Sequence, residues 1–175
     1  MRSVSNLLNL RQSESLTLPV PVIRELPADL ETPVSVYLKL AGQSPSFLLE
    51  SVTGGEHLAR YSFIGIHPSR AYVLRDGMIE RHQAGQVERI EPLQGGDPLD
   101  SLRAELNRFR TPALPGLPRF AGGLVGYLGY EMARYFEPSV ALDHHPGLPD
   151  GIFLLADTVV AFDHAFGKLV LIANF

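Results

Sequence analysis

Asp76-Gly77, set between two short strand-like runs, is the feature that most narrows what this chain can fold into. A two-residue Asp-Gly loop places both residues at positive φ, and its twist matches that of the strands it joins, so residues 71–75 and 78–82 are expected to pair antiparallel. Ala84-Gly85 follows closely and turns the chain back along residues 86–90. The middle of the molecule is therefore expected to be a meander of antiparallel strands.

The flanking patterns extend this plan. Leu18-Pro-Val-Pro-Val-Ile23 is extended, and its prolines confine it to a sheet edge. Thr32 as N-cap and Pro33 at the first helical position open a helix with Val34, Tyr37, Leu38 and Ala41 as its apolar stripe and Gly42 as its stop. Residues 47–52 form a buried strand that turns polar at its end, and residues 58–66 its neighbour across Gly54-Gly55. Asp97-Pro98-Leu99-Asp100 starts a second helix that buries Leu99, Leu102, Leu106 and Phe109 and ends near Arg110; residues 111–118 are a connector. Gly122, Gly123 and Gly126 interrupt the strand-like run 121–127, which implies that another chain segment packs close against it. A short helix over 130–136 and a long hairpin pairing 152–162 with 168–174 complete an α+β plan, mostly antiparallel β with a few helices. Phe175 directly follows the apolar run 169–172, an expected unprotected edge, which reads as a truncated chain with apolar surface exposed.

Composition removes several function classes. With no cysteine among 175 residues, disulfide scaffolds, thiolate metal sites and a cysteine nucleophile are excluded. The net charge is -4, and no block of either sign occurs, so nucleic acid and anionic membranes are not expected partners. Residues 1–10 lack the sustained apolar run of a signal peptide, and the most apolar stretch, 152–172, is broken by Asp157, Asp163, His164 and Lys168, so it is read as strands and not as a membrane span. A cytoplasmic location is the expectation. The six histidines show no metal-ligand spacing; Asp163-His164 has the composition of half a catalytic triad but sits at an expected turn. Glu50, Glu56 and Glu131 offer no demonstrable carboxylate pair.

One polar constellation remains. Glu50-Ser51 ends an apolar strand, and Arg60-Tyr61-Ser62 lies in the adjoining strand segment. A carboxylate, a hydroxyl and a guanidinium on paired strands suit a zwitterion, with Glu for an ammonium and Arg for a carboxylate. The same residues also suit a surface ion pair beside a turn.

Phe47-Leu-Leu-Glu-Ser51, Ala59-Arg-Tyr-Ser-Phe-Ile-Gly65, Gly122-Gly-Leu-Val-Gly-Tyr-Leu-Gly-Tyr-Glu131 and Phe162-Asp-His164, in this order, resemble the N-terminal region of anthranilate synthase component I from about Val34 onward. The resemblance implies a β-sandwich flanked by helices in which residues 1–30 are a lead and edge segment. Residues 31–175 are then the N-terminal regulatory region, cut before the chorismate-binding region. It implies the enzyme, a lyase, that makes anthranilate and pyruvate from chorismate and ammonia in tryptophan biosynthesis, with a glutamine amidotransferase subunit as partner. No catalytic residue carries over. The chorismate and Mg²⁺ residues lie in the region beyond this chain, so Mg²⁺ belongs to the full-length enzyme, no cofactor is expected in this chain, and this chain alone is expected to be inactive. What carries over is part of a feedback site, with Glu50, Ser51 and Arg60 as L-tryptophan contacts. Aminodeoxychorismate synthase component I, a close relative, and a free amino-acid-binding module are the alternatives.

Overall fold

The computed structural model describes residues 21–50, 60–92, 97, 99–109, 115–137, 139–140, 142 and 147–174. Two five-stranded sheets form its framework. In the first, β1 (Pro21–Pro27), β10 (Lys168–Asn174), β9 (Thr158–Asp163), β3 (Tyr61–Gly65) and β2 (Phe47–Leu49) lie side by side in that order. In the second the order is β6 (Gln86–Pro92), β5 (Met78–Gln83), β4 (Ala71–Arg75), β8 (Gly151–Ala156) and β7 (Gly123–Leu128). Every described pairing is antiparallel.

The turn chemistry behaves as the sequence requires. Asp76 and Gly77 take φ of 51° and 74°, and Ala84 and Gly85 take 50° and 78°, the positive values of tight hairpin turns. β1 is an edge strand paired only with β10 among the described residues, in keeping with Pro21 and Pro27 at its ends. Gly126 explains the glycine-rich run, because a Cβ there would stand 1.9 Å from the Ile152 carbonyl oxygen on β8. A 3-10 turn (Tyr130–Met132) leads into α3 (Ala133–Phe136), as expected for that stretch.

Three expectations are corrected. Residues 152–162 are not one strand. The chain crosses from the second sheet to the first at Asp157, whose carbonyl oxygen accepts the Asn174 backbone N–H at 2.9 Å, so β8 pairs with β4 and β7, and only β9 pairs with β10. Both halves are apolar, and apolar patterning alone does not tell which partner each one meets. Nor is the apolar run of β10 an open edge: β1 and β9 flank it, and Leu169, Val170 and Ile172 are buried.

The third correction concerns which helix faces are buried. α1 (Pro33–Leu40) has Thr32 as N-cap in a capping box with Ser35, and Pro33 opens it as expected. It packs on the first sheet through Pro33 and Val36, with Tyr37 beside them but Val34 and Leu38 exposed; its C-cap is Ala41, which leaves Gly42 just past the end as the expected stop. α2 (Asp100–Arg108) buries Leu102 together with Glu105, and Leu106 is partly exposed.

Glu105 is the polar anchor of the second sheet. Tyr72, fully buried on β4, donates its hydroxyl to Glu105 Oε2 at 2.8 Å. Arg108 donates to Glu105 Oε1 at 2.7 Å, while guanidinium nitrogens of Arg70 and Arg81 stand 3.7 and 3.8 Å from Oε2. A buried carboxylate survives only with such compensation. Burial, and then the hydrogen bond to Glu105, push the Tyr72 phenol up to about 12. Around this anchor Leu74, Ile79, Leu102, Met132 and Leu155 form one core cluster. A second cluster fills the α1 side of the first sheet, and a third, with Ala161, Val170 and Ile172, packs under Leu117 and Ala121.

Candidate functional site

The register of the first sheet brings three strand ends together. β2 meets β3 at Phe47↔Gly65, Leu48↔Ile64 and Leu49↔Phe63, and Glu50 follows directly past the last of these rungs. β3 in turn meets β9 at Tyr61↔Asp163 and Ser62↔Phe162. Glu50, the segment 60–62 and Asp163-His164, more than a hundred residues away in sequence, therefore share one end of the sheet.

Strand alternation divides this end between the two faces. Ser62, Phe162 and His164 associate on the α1 face: His164 Nε2 is 2.9 Å from Ser62 Oγ, and its ring lies 4.8 Å from that of Phe162. Tyr61 belongs to the opposite cluster. Arg60 bridges the sheet end, since its Nε and Nη2 donate to Asp163 Oδ1 and Oδ2 at 3.1 and 2.8 Å, a two-pronged pair. The guanidinium also lies 4.8 Å from the Tyr61 ring centre and 4.9 Å from that of Phe166. The Arg60 carbonyl oxygen accepts the His164 backbone N–H at 2.9 Å, fastening the same corner through the main chain.

The electrostatics follow from burial. Asp163 is 1% exposed and Arg60 39%. Desolvation alone would push the Asp163 carboxyl up, but the Arg60 guanidinium and the turn N–H groups of Ala165 and Phe166 outweigh it and hold the group below the usual carboxylate range. The hydrogen bond to Asp163 raises the Arg60 guanidinium in turn.

The structure thus brings Glu50 and Arg60 to one sheet end; Ser51 lies outside the described residues, as do the Gly54-Gly55 turn and Glu56. The surface ion-pair reading is half met. Arg60 is paired, but with a buried aspartate from a distant strand. Sequence reasoning assigned Asp163 to turn chemistry alone; the signal that could have found it is a carboxylate placed directly behind the buried strand residues Val159–Phe162, where only a partner makes it affordable. No Ser-His-Asp relay results, because Asp163 faces Arg60 and Ser62 is 2% exposed.

A concavity of about 300 Å³ lies beside α1, walled by Leu26, Val36, Leu40, Val160, Leu169 and Leu171 with Glu31 and Lys39 at hand. It is apolar and brings together no group with chemistry of its own. Among the described residues no cluster of three His, Asp or Glu is placed to hold a metal ion, so those residues do not fit Mg²⁺. Among them, too, no helix is long and apolar enough to cross a membrane.

No protein-family model matches the chain. It is 43% identical over 160 residues to anthranilate synthase component 1 of Neisseria gonorrhoeae, an alignment covering 87% of this chain and 32% of that protein. It is 46% identical over 158 residues to the protein of the same name from Mycolicibacterium smegmatis, covering 89% and 29% respectively. Among solved structures it is similar to anthranilate synthase component I from Streptococcus pneumoniae, with a TM-score of 0.50 and 27% identity over 85% of this chain and 31% of that one. The chain spans about a third of the length of these relatives.

Proposed function

We propose that this chain, similar over nearly nine-tenths of its length to about a third of anthranilate synthase component 1, is the N-terminal regulatory part of such an enzyme. The whole protein would convert chorismate and ammonia to anthranilate and pyruvate, a lyase reaction, with a glutamine amidotransferase subunit supplying the ammonia, in the cytoplasm. The observation that carries this reading is the 43–46% identity itself. The anthranilate name these relatives share favours it over aminodeoxychorismate synthase.

Within that protein this region supplies part of an L-tryptophan feedback site at the corner where β2 and β3 meet. Glu50 takes the ammonium, Ser51 hydrogen-bonds a charged end of the ligand, and Arg60 provides guanidinium N–H. The reacting groups and Mg²⁺ belong to the remaining length of the enzyme, so this chain alone forms no anthranilate from chorismate, Mg²⁺ and ammonium. Sustained anthranilate fluorescence above a protein-free control would overturn that.

Ser51→Ala in the full-length enzyme tests the regulatory role. A hydrogen bond to a charged group is worth ~1.5–3 kcal/mol, which is roughly a tenfold to hundredfold loss of effector affinity. Half-inhibition should need correspondingly more tryptophan, and Glu50→Gln should move the same way. If Ser51→Ala instead abolishes turnover while the tryptophan curve of the residual activity stays in place, Ser51 belongs to catalysis or folding.

A further inference from the structure

We propose that Asp163 is a positioning residue for that effector site: it holds the Arg60 guanidinium in one orientation before any ligand arrives. The inference rests on the effector reading above and extends it to a residue on another strand.

An arginine on a surface strand end ordinarily samples many rotamers, and a ligand that uses it must first order it. Arg60 is different. Both oxygens of a 1%-exposed carboxylate meet its Nε and Nη2, so rotation about the end of the side chain is blocked. The Tyr61 and Phe166 rings at 4.8 and 4.9 Å restrict the remaining tilt. Asp163 is itself fixed, since Oδ1 also accepts the Ala165 N–H at 3.1 Å and its backbone pairs with Tyr61 in the β3–β9 ladder. Nη1 lies outside the fork held by Asp163, and more than a third of the Arg60 side chain remains exposed. A ligand group reaching that nitrogen meets a donor that is already ordered, which is how preorganisation raises affinity.

The pairing also sets the charge of the site. Arg60 is neutralised by Asp163, so the end of β3 carries no free guanidinium charge. Asparagine at 163 keeps the shape but removes the fork, because its NH₂ cannot accept from a guanidinium.

Tryptophan binding to the full-length protein by calorimetry is the test, with Asp163→Asn, Arg60→Gln and the double variant. Asp163→Asn should weaken binding roughly fivefold to thirtyfold, the range expected for re-ordering one arginine side chain. The double variant should bind no more weakly than Arg60→Gln alone, because Asp163 acts only through Arg60. An equal loss from Asp163→Asn in both backgrounds would mark Asp163 as merely structural and overturn the proposal, as would wild-type affinity in Asp163→Asn. Phe166→Leu alters an exposed ring and serves should Asp163→Asn fail to fold. It should weaken binding about twofold to fivefold with Arg60 present and not at all with Gln at 60, and an equal loss in both backgrounds overturns the proposal. If neither Glu50→Gln nor Arg60→Gln weakens binding, the effector reading itself fails and takes this inference with it; if Arg60→Gln weakens it and Asp163→Asn does not, only the positioning role falls.

Discussion

Replacing Tyr72 with phenylalanine removes one oxygen from the anchor of the second sheet and nothing else. The lost bond runs 2.8 Å from the phenol to Glu105 Oε2 between two buried side chains, so near neutral pH the variant should be less stable by ~1.5–3 kcal/mol. Arg108, Arg70 and Arg81 still surround the carboxylate, which keeps the loss at the lower end. The pH dependence is more diagnostic. Burial and Glu105 hold the phenolic proton up to about pH 12 in the folded state, whereas an unfolded tyrosine releases it near 10. Between those values the unfolded state binds fewer protons, so the stabilisation is fully present below about pH 10 and is lost as pH rises toward about 12. Linkage gives a loss of roughly 1.4 kcal/mol by pH ~11, and Tyr72→Phe does not suffer it. Urea unfolding of both proteins at about pH 8 and pH 11 should therefore show the gap between them closing by about that amount. A gap that stays constant, or widens, would refute the assignment of the Tyr72 proton to a buried bond with Glu105.

Thr32→Ala removes the Oγ1 that accepts the Ser35 N–H at 3.0 Å, leaving the return bond from the residue 32 backbone N–H to Ser35 Oγ in place, and should lower stability by ~1 kcal/mol in denaturant melts. Val36→Ala should cost about 1.5 kcal/mol or more in the same melts, whereas Leu38→Ala, on a side chain 71% exposed, should stay within about 0.5 kcal/mol; the reverse order would restore the helix face that the sequence suggested. Gly126→Ala forces a methyl into the Ile152 carbonyl, so thermal melting should show a loss of about 3 kcal/mol or no folded protein, and a variant that melts like the wild type would mean that β7 and β8 lie farther apart.

Local chemistry accounts for the parts of the fold that depend on neighbours in the chain. Asp76-Gly77 and Ala84-Gly85 supply positive φ wherever they occur, and Thr32-Pro33 begins a helix whatever it later packs against. The glycines of 122–126 likewise announced a close approach without saying by what, and the answer, the Ile152 carbonyl, came from strand pairing. Tertiary structure decided where energy depends on partners distant in sequence. An apolar run from 152 to 162 fits either sheet, and only packing splits it at Asp157. Helical spacing proposed Val34 and Leu38 for burial, while the surface on offer accepted Pro33 and Val36. Asp163 at the candidate site and Glu105 in the second sheet follow the same rule. Each is a carboxylate that apolar patterning assigns to solvent, and each is buried where arginines distant in sequence approach it, Arg60 at Asp163 and Arg70 and Arg81 at Glu105. Glu50 and Arg60 could be paired on sequence grounds since they sit on neighbouring strands; Asp163 joins them only through the β3–β9 ladder, which no local pattern encodes.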